Sequence, residues 1–498
     1  MRSAFVIATV VLLAVGTRLP GLFTDFWVDE VWSLSDVLAL KSWTDIFLTL
    51  RIDNNHHLNS AWLYLLGSGQ HAALYRLPAF VAGLGSVVIA WRIGARDGRL
   101  NGGLTALVFA WSFPLAYYSS EARGYASAVC LTLLALWWLQ RYCDTQRSSD
   151  AAGFWATSVL AMMGHASFVF AFIGMLLWTD SHAERISGSV RKGMHLTLRA
   201  FVVPGIAILV FYLVCLRGMA IGGGPPYSLP EVATQTLSLM VGGPLGAPTV
   251  WIAAAASAAA FVAAVSWLKA RQDDRWLLYV ASCVVVPGLF IVLTQPRVLM
   301  PRYLLIPVAL ALLPISQWLA FLLSRQGVWR ALAIGLLALY GTGNTVHLAK
   351  FASTGRGQYR DALTDILGAT PHEPVTVRSA GHKPGEQFRT RLVVNHYADV
   401  LGRGRTRLYE TTEPAAADFI IREGRGDGEP YRDGWGNMYV RWRYYPSSEL
   451  AGIDWTLYRR QETLNWNPRH APPERPHSLA ARFDNSERFT RLFANLVR

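Results

Sequence analysis

The sequence predicts a polytopic α-helical membrane protein that carries a polar α/β domain at its C-terminal end. Three observations predict it. Long apolar runs fill residues 1–350, and several approach the roughly 20 residues that span a hydrocarbon layer. Residues 355–498 are polar throughout. Basic residues collect in alternate connecting segments, as Lys and Arg do on the cytoplasmic side of a membrane.

Composition supports this reading. The chain has 498 residues, 52% hydrophobic and 16% charged. In water its apolar runs would need complete burial, whereas lipid solvates them directly. The net charge of +13 first suggests a nucleic-acid partner. Its distribution does not: residues 355–498 hold 22 Lys+Arg against 18 Asp+Glu, a net of +4, which leaves +9 for residues 1–354. Most of the excess lies between apolar runs, where topology explains it, so the expected partner is the bilayer and not nucleic acid. Cys130, Cys143, Cys215 and Cys283 lie in or at the ends of apolar runs. A disulfide scaffold in the polar region is therefore excluded, and no Cys/His cluster has zinc spacing.

The first run, Phe5 to Val15, follows Arg2 as a signal peptide would. No small-residue cleavage site follows it, so it reads as an uncleaved first span. Eleven spans are expected, at about 3–20, 73–92, 101–118, 124–140, 153–163, 166–178, 198–216, 247–268, 276–294, 303–323 and 329–348. One orientation, with the N-terminus cytoplasmic, places all the basic segments inside. These are Arg92/Arg96/Arg99, Arg141/Arg147, Arg185/Arg191/Lys192/Arg199, Lys269/Arg271/Arg275 and Arg325/Arg330. This orientation requires residues 153–178 to form a hairpin of two short helices around His165. Local thinning or burial among neighbours must accommodate them. The transmembrane domain is then 1–350, with a first outer loop at 21–72 and further outer segments at 119–123, 217–246 and 295–302. The domain 355–498 is extracytoplasmic, at the cell (inner, cytoplasmic) membrane. In the first outer loop, Leu58, Trp62 and Leu65/Leu66 form a stripe suited to a helix in the interface.

The polar domain reads as mixed α/β. Helical patterns cover Gln358–Leu367 and Gly385–Leu401, and Phe489, Leu492, Phe493 and Leu496 form a late helical stripe. Strand patterns cover Val375–Val377, Thr406–Tyr409, Asp418–Ile421, Met438–Tyr445 and Trp455–Tyr458.

Residues able to carry chemistry gather at the predicted outer face. Asp29 and Glu30 lie among Phe26, Trp27 and Trp32, where burial would raise a carboxylate pKa toward that of a general base. An aromatic belt with solvated acids accounts for the same residues. Glu121 and Arg123 occupy a very short outer loop, as a structural ion pair or as part of a site. Arg297 and Arg302 run against the topology rule. A membrane-embedded anion would explain them, since guanidinium forks match phosphate, and so would snorkelling. His56 and His57 follow Asn54-Asn55. No third metal ligand has fitting spacing, and hydrogen bonding to a polar substrate suits them better. His165 faces outward too, and a helix-end role suits it. Acids and arginines from separate regions on one face suggest group transfer from a phosphate-bearing donor.

These pieces resemble the GT-C glycosyltransferase superfamily, in the branch of protein O-mannosyltransferases and the aminoarabinose transferase of lipid A. The matching residues are Arg18 at the end of the first span, Asp29-Glu30, Asn55-His56-His57-Leu58, Tyr118-Ser119-Ser120-Glu121-Ala122-Arg123-Gly124-Tyr125 and Arg302-Tyr303-Leu304-Leu305. The match covers residues 1–350. The usual His-Pro-Pro element is here His56-His57-Leu58.

The resemblance implies an inverting transferase that moves a hexose or pentose from a polyprenyl-phosphate carrier to an acceptor hydroxyl. Asp29 would be the base on the acceptor hydroxyl, with Glu30 supporting acceptor or site geometry. His56, His57, Glu121, Arg123, Tyr125, Arg297, Arg302 and Tyr303 would bind substrate, the outer arginines holding the departing phosphate. No cofactor is called for, and a divalent cation stays open. Lipid, polysaccharide and protein acceptors all fit. Two alternatives share the spans. A flippase for lipid-linked saccharide needs no outer acidic pair, and inverted repeats that would favour it are not seen. An O-antigen ligase or polymerase would rely on outer arginines and histidine instead of Asp29-Glu30.

The charge pattern makes a direct prediction. A reporter that is active only outside the cytoplasm, fused after Arg498, should be active. Activity of a cytoplasm-only reporter at that position would overturn the hairpin and the span count.

Overall fold

The computed structural model describes residues 2–221, 227–246, 248–370, 375–381, 384–402, 408–410, 417–426, 428–448, 450 and 452–461. The chain forms two compact units, Met1–Leu22 with Ser33–Leu348, and Phe23–Trp32 with Ala349–Arg498. The late stripe Phe489–Leu496 lies outside the described residues.

The first unit is helical. Its elements are α1 (Arg2–Leu22), the later part of α2 (Val28–Leu38), α3 (His57–Leu66), α4 (Leu77–Ala95), α5 (Arg99–Trp111), α6 (Phe113–Tyr118), α7 (Tyr125–Thr145), α8 (Ser148–Gly164) and α9 (Phe168–Ser187). There follow α10 (Val190–Leu216), α11 (Leu229–Met240), α12 (Thr249–Ala270), α13 (Arg275–Thr294), α14 (Pro301–Ser324) and most of α15 (Val328–Thr354). Among the described residues, seven helices are long and apolar enough to cross a membrane: α1, α4, α10, α12, α13, α14 and the run that opens with α15. The four other expected spans are helical, but they fall outside this set. The segment 101–118 is broken in two at Ser112, and α8 has only 17 residues. The chain does break at His165, between α8 and α9.

The buried helix α14 has 83% of its apolar window covered by protein. In α3, His57, Asn59, Ser60 and Leu63 are buried, while Leu65 of the predicted stripe is 75% exposed. The polar face of this helix is thus the one turned into the protein.

The break between α5 and α6 has a local cause. Pro114 has no N–H to give to the Ala110 carbonyl. The N–H of Phe113, which would serve Phe109, instead donates to Asn344 Oδ1 at 2.6 Å. Two carbonyls are left over, as at any helix end. Arg18, 1% exposed on α1, takes both: Nη1 donates to Ala110 O at 3.0 Å and Nη2 to Phe109 O at 3.0 Å. Thr17 Oγ1 also donates to Ala110 O, at 3.0 Å.

The second unit holds α16 (Tyr359–Ala369), α17 (Pro384–Gly402) and a six-stranded sheet. The strands are β1 (Val375–Ser379), β2 (Leu408–Glu410), β3 (Phe419–Glu423), β4 (Tyr431–Arg432), β5 (Met438–Tyr445) and β6 (Trp455–Arg460), in the order β2-β1-β3-β6-β5-β4. The β1 pairings are parallel and the rest antiparallel. All the expected strands appear, with small shifts in their ends. The two-residue β4 was not foreseen, being too short to show alternation. Both helices cover one sheet face: Tyr359 packs on Trp455, Asp365 accepts from Tyr445, and Arg389 pairs with Glu423 at 2.6 Å.

Arg18→Met keeps the volume and removes the donors. Thr17 still serves Ala110 O, but Phe109 O loses its donor, at a cost of about 1–3 kcal/mol. The variant should melt well below the wild type in detergent, and an unchanged melting temperature would remove Arg18 from this role.

Candidate active site

In the first unit the site is built from short connecting segments fixed by backbone pairing. Residues 51–53 are held by Ala220, whose N–H donates to Arg51 O at 2.9 Å and whose carbonyl accepts from Asp53 at 3.0 Å. Asn59 Nδ2 donates to Ala122 O at 2.7 Å and fixes the loop that follows α6. Gly124 ends that loop in close quarters. A Cβ there would stand 2.1 Å from Gly164 O and 2.7 Å from His56 Nδ1, so only glycine fits.

His56, 5% exposed, sits at the centre. Its Nδ1 accepts the Gly124 N–H at 2.8 Å. A neutral imidazole then carries its proton on Nε2. That nitrogen lies 3.1 Å from Arg123 Nη2, which is itself only a donor. Nη2 also donates to Tyr125 Oη at 3.5 Å, so the guanidinium sits between His56 and Tyr125. Burial, followed by the charge of Arg123, the neighbouring His165 and then Arg302, holds the His56 pKa well below its ordinary value, so the ring is neutral at pH 7.

Arg123, 3% exposed, also donates through Nη1 to Asn54 Oδ1 and, at 3.4 Å, to Ser33 Oγ. Its guanidinium stands 5.6 Å from the Tyr125 ring centre. The Tyr125 ring lies 4.8 Å from His56, 4.9 Å from His165 and 5.3 Å from Tyr118. His165 is 5.0 Å from His56 and 5.9 Å from Tyr303. Arg302 lies 5.7 Å from the centre of the Tyr303 ring, and its charge is felt at both His56 and His165. Glu121, fully buried, reaches Tyr118 and Tyr125 electrostatically. The cluster thus holds two arginines, two histidines and three tyrosines with one carboxylate nearby, an arrangement suited to binding an oxyanion.

Several expected residues meet here: His56, Glu121, Arg123, Tyr125, Arg302 and Tyr303. Two do not. His57 turns away, with its ring 4.8 Å from Phe211 and 5.5 Å from Phe47, and burial lowers its pKa to about 4. Arg297 is exposed and makes no hydrogen bond or ion pair among the described residues. The second arginine of the cluster is Arg123. His165 keeps its expected helix-end role, with Nδ1 accepting the Ser167 N–H at 3.1 Å, yet its ring belongs to the cluster. Ser33 and Asn54 had no signal in the sequence beyond being polar near the motifs.

Asp29 and Glu30 lie in the second unit. They open α2, whose next turn carries Ser33. Glu30 is fully buried, and its Oε2 accepts the Trp27 N–H at 3.4 Å, while Asp29 is only partly buried. The preceding residues are clamped by the C-terminal helices. The Arg360 N–H donates to Asp25 at 2.9 Å, Tyr397 Oη donates to Phe26 O at 3.1 Å, and His396 stacks on Phe26 at 5.9 Å. Burial lowers the His396 pKa to about 4. Arg389 senses the Asp29 charge. His396 and Arg389 escaped sequence reasoning because they lie more than 350 residues away in the chain. Among the described residues no group of three His, Cys, Asp or Glu could hold a metal ion.

Burial and the two arginines lower the His165 pKa to about 3. An unfolded histidine binds its proton near pH 6.5. Stability from the neutral folded ring is complete above that value and is lost as pH falls toward about 3. The slope is about 1.4 kcal/mol per pH unit. In His165→Gln the acid-side fall in melting temperature between pH 6 and 4 should be shallower. A slope identical to wild type would refute the assignment.

No family model and no curated protein matches the chain. Solved structures that resemble it include the crystal structures of ArnT from Cupriavidus metallidurans in the apo state and bound to undecaprenyl phosphate. Each is 12% identical, covering 91% of this chain and 97% of ArnT, with TM-scores of 0.49 and 0.46. A likeness at this level establishes neither activity nor substrate.

Proposed function

We propose that the protein is an integral-membrane glycosyltransferase. It takes a hexose or pentose from a polyprenyl-phosphate donor and passes it, with inversion, to an acceptor hydroxyl at the outer face of the membrane. The observation that carries this reading is the buried cationic cluster, with His56 Nε2 3.1 Å from Arg123 Nη2 and the charge of Arg302 acting on His56. Guanidinium forks of this kind match a phosphate. The apolar helices around the cluster suit a lipid tail.

In the proposed reaction the acceptor oxygen attacks the anomeric carbon, and the bond from that carbon to the phosphate oxygen breaks. The acceptor proton passes to Asp29, and the polyprenyl phosphate leaves with the bonding electron pair. Arg123, Arg302 and His56 stabilise the negative charge as it grows. Burial supports the division of labour between the acids. Asp29 is partly accessible and suits a base, whereas the enclosed Glu30 bonds its own helix start and suits a positioning role. A positioned base contributes about 10²–10⁴-fold in rate.

The test is transfer of labelled sugar from a polyprenyl-phosphate donor by purified, reconstituted protein. Asp29→Asn should bind donor and lose transfer by at least about 10²-fold. Arg302→Ala should weaken donor use by about 1.5–3 kcal/mol. Full transfer by Asp29→Asn would remove the base. Movement of intact donor across the bilayer without transfer would establish the flippase reading.

A further inference from the structure

An acceptor oxygen that gives its proton to Asp29 must come within hydrogen-bond reach of that carboxylate, about 2.6–3.2 Å. The molecule bearing the oxygen then touches whatever lies around Asp29, and the second unit supplies those neighbours. Trp32 follows Asp29 by three residues on α2, so the two side chains lie on one side of the helix. Both are partly exposed, whereas Glu30 and Val31 between them are fully buried.

The helix α17 adds two more groups. Phe388 sets its ring edge-on to Trp32, with centroids 5.4 Å apart and planes at 72°. Phe388 is 43% exposed, so the pair presents aromatic surface to solvent and does not close a core. Arg389 follows it in the helix. Its Nε donates to Glu423 Oε1 at 3.1 Å and its Nη2 to Glu423 Oε2 at 2.6 Å. Among the described residues Nη1 makes no hydrogen bond, and 29% of the side chain is exposed. The guanidinium is thus fixed along one edge and open along the other. Asp29 and Glu386 act on it electrostatically as well as Glu423. One cation among three carboxylates leaves this neighbourhood net negative.

We propose that Trp32, Phe388 and the open edge of Arg389 form the acceptor subsite, and that the acceptor is a neutral saccharide. A sugar has a flat apolar face bordered by hydroxyls. Exposed aromatic rings suit the face, and the Nη1 protons suit a hydroxyl oxygen. A hydrocarbon chain would leave the guanidinium edge without an acceptor. A glycan bearing carboxylate or phosphate would meet the excess negative charge. The inference rests on the transferase reading, in which Asp29 is the base, and it narrows the acceptor classes to one.

The experiment uses the full chain in zwitterionic nanodiscs, without donor, on an array of neutral oligosaccharides and their carboxylated or phosphorylated counterparts. The wild type should bind a neutral member about tenfold more tightly than its acidic counterpart. Phe388→Leu keeps apolar bulk at an exposed position, so the melting temperature should hold while that binding falls about fivefold. Phe388→Tyr keeps the ring and should bind as the wild type does. Arg389→Lys keeps a charge for Glu423 but removes the open edge, and it should weaken binding too. With the bound saccharide as acceptor in the transfer assay, Phe388→Leu should raise the acceptor KM and leave the donor KM unchanged. Binding to no neutral member, preference for the acidic counterparts, or unchanged binding in Phe388→Leu would each overturn the proposal. Binding is measured without donor, so the two readings fail separately. Transfer to a lipid or an acidic glycan would keep the transferase and remove this subsite, whereas saccharide binding without any transfer would do the reverse.

Discussion

The buried guanidinium of Arg18 is the interaction on which the break between α5 and α6 of the helical unit depends. A charge inside an apolar bundle is expensive unless polar groups surround it. Here the polar groups come from a broken helix. Pro114 and the diverted N–H of Phe113 release the carbonyls of Phe109 and Ala110, and Arg18 accounts for both. Each defect offsets the other. The break lets the chain turn through α6 into the loop that carries Glu121, Arg123 and Gly124, so the site inherits its position from this exchange.

The same bookkeeping of donors and acceptors governs the site itself. Gly124 delivers its N–H to His56 Nδ1 and so fixes the tautomer. The other ring nitrogen faces Arg123 Nη2 at 3.1 Å. Asn54 holds that arginine from its other side, and Asn54 Nδ2 in turn donates to Ser33 at 2.9 Å. Hydrogen bonds from Gly124, Asn54 and Ser33 hold His56 and Arg123 in place, so the cluster is fixed by segments remote in the chain. Burial strengthens these bonds, since a hydrogen bond is electrostatically stronger where water is absent.

Periodicity and residue type made much of this visible. The apolar runs, the strand alternation at Met438–Tyr445 and the outer motifs could be read directly. The pairing of His56 with His57 could not, because neighbours in a helix start point to different sides. Arg297 and Arg302 looked equivalent in the sequence. Only packing separates them, one exposed and the other facing His56, His165 and Tyr303. The span count was also beyond the sequence, since a helix buried by its neighbours need not be long or uniformly apolar.

The sequence by itself determined the solvent of each part. Hydropathy acts on stretches of chain, so it assigned lipid to the first 350 residues and water to the rest, and named the short polar segments where chemistry could occur. Tertiary structure decided which of those side chains meet, because contact depends on distances set by packing between remote segments. It brought His165 and Arg123 to His56. It also grouped Asp29 and Glu30 with the C-terminal helices, through bonds from Arg360 and Tyr397 that no local pattern encodes.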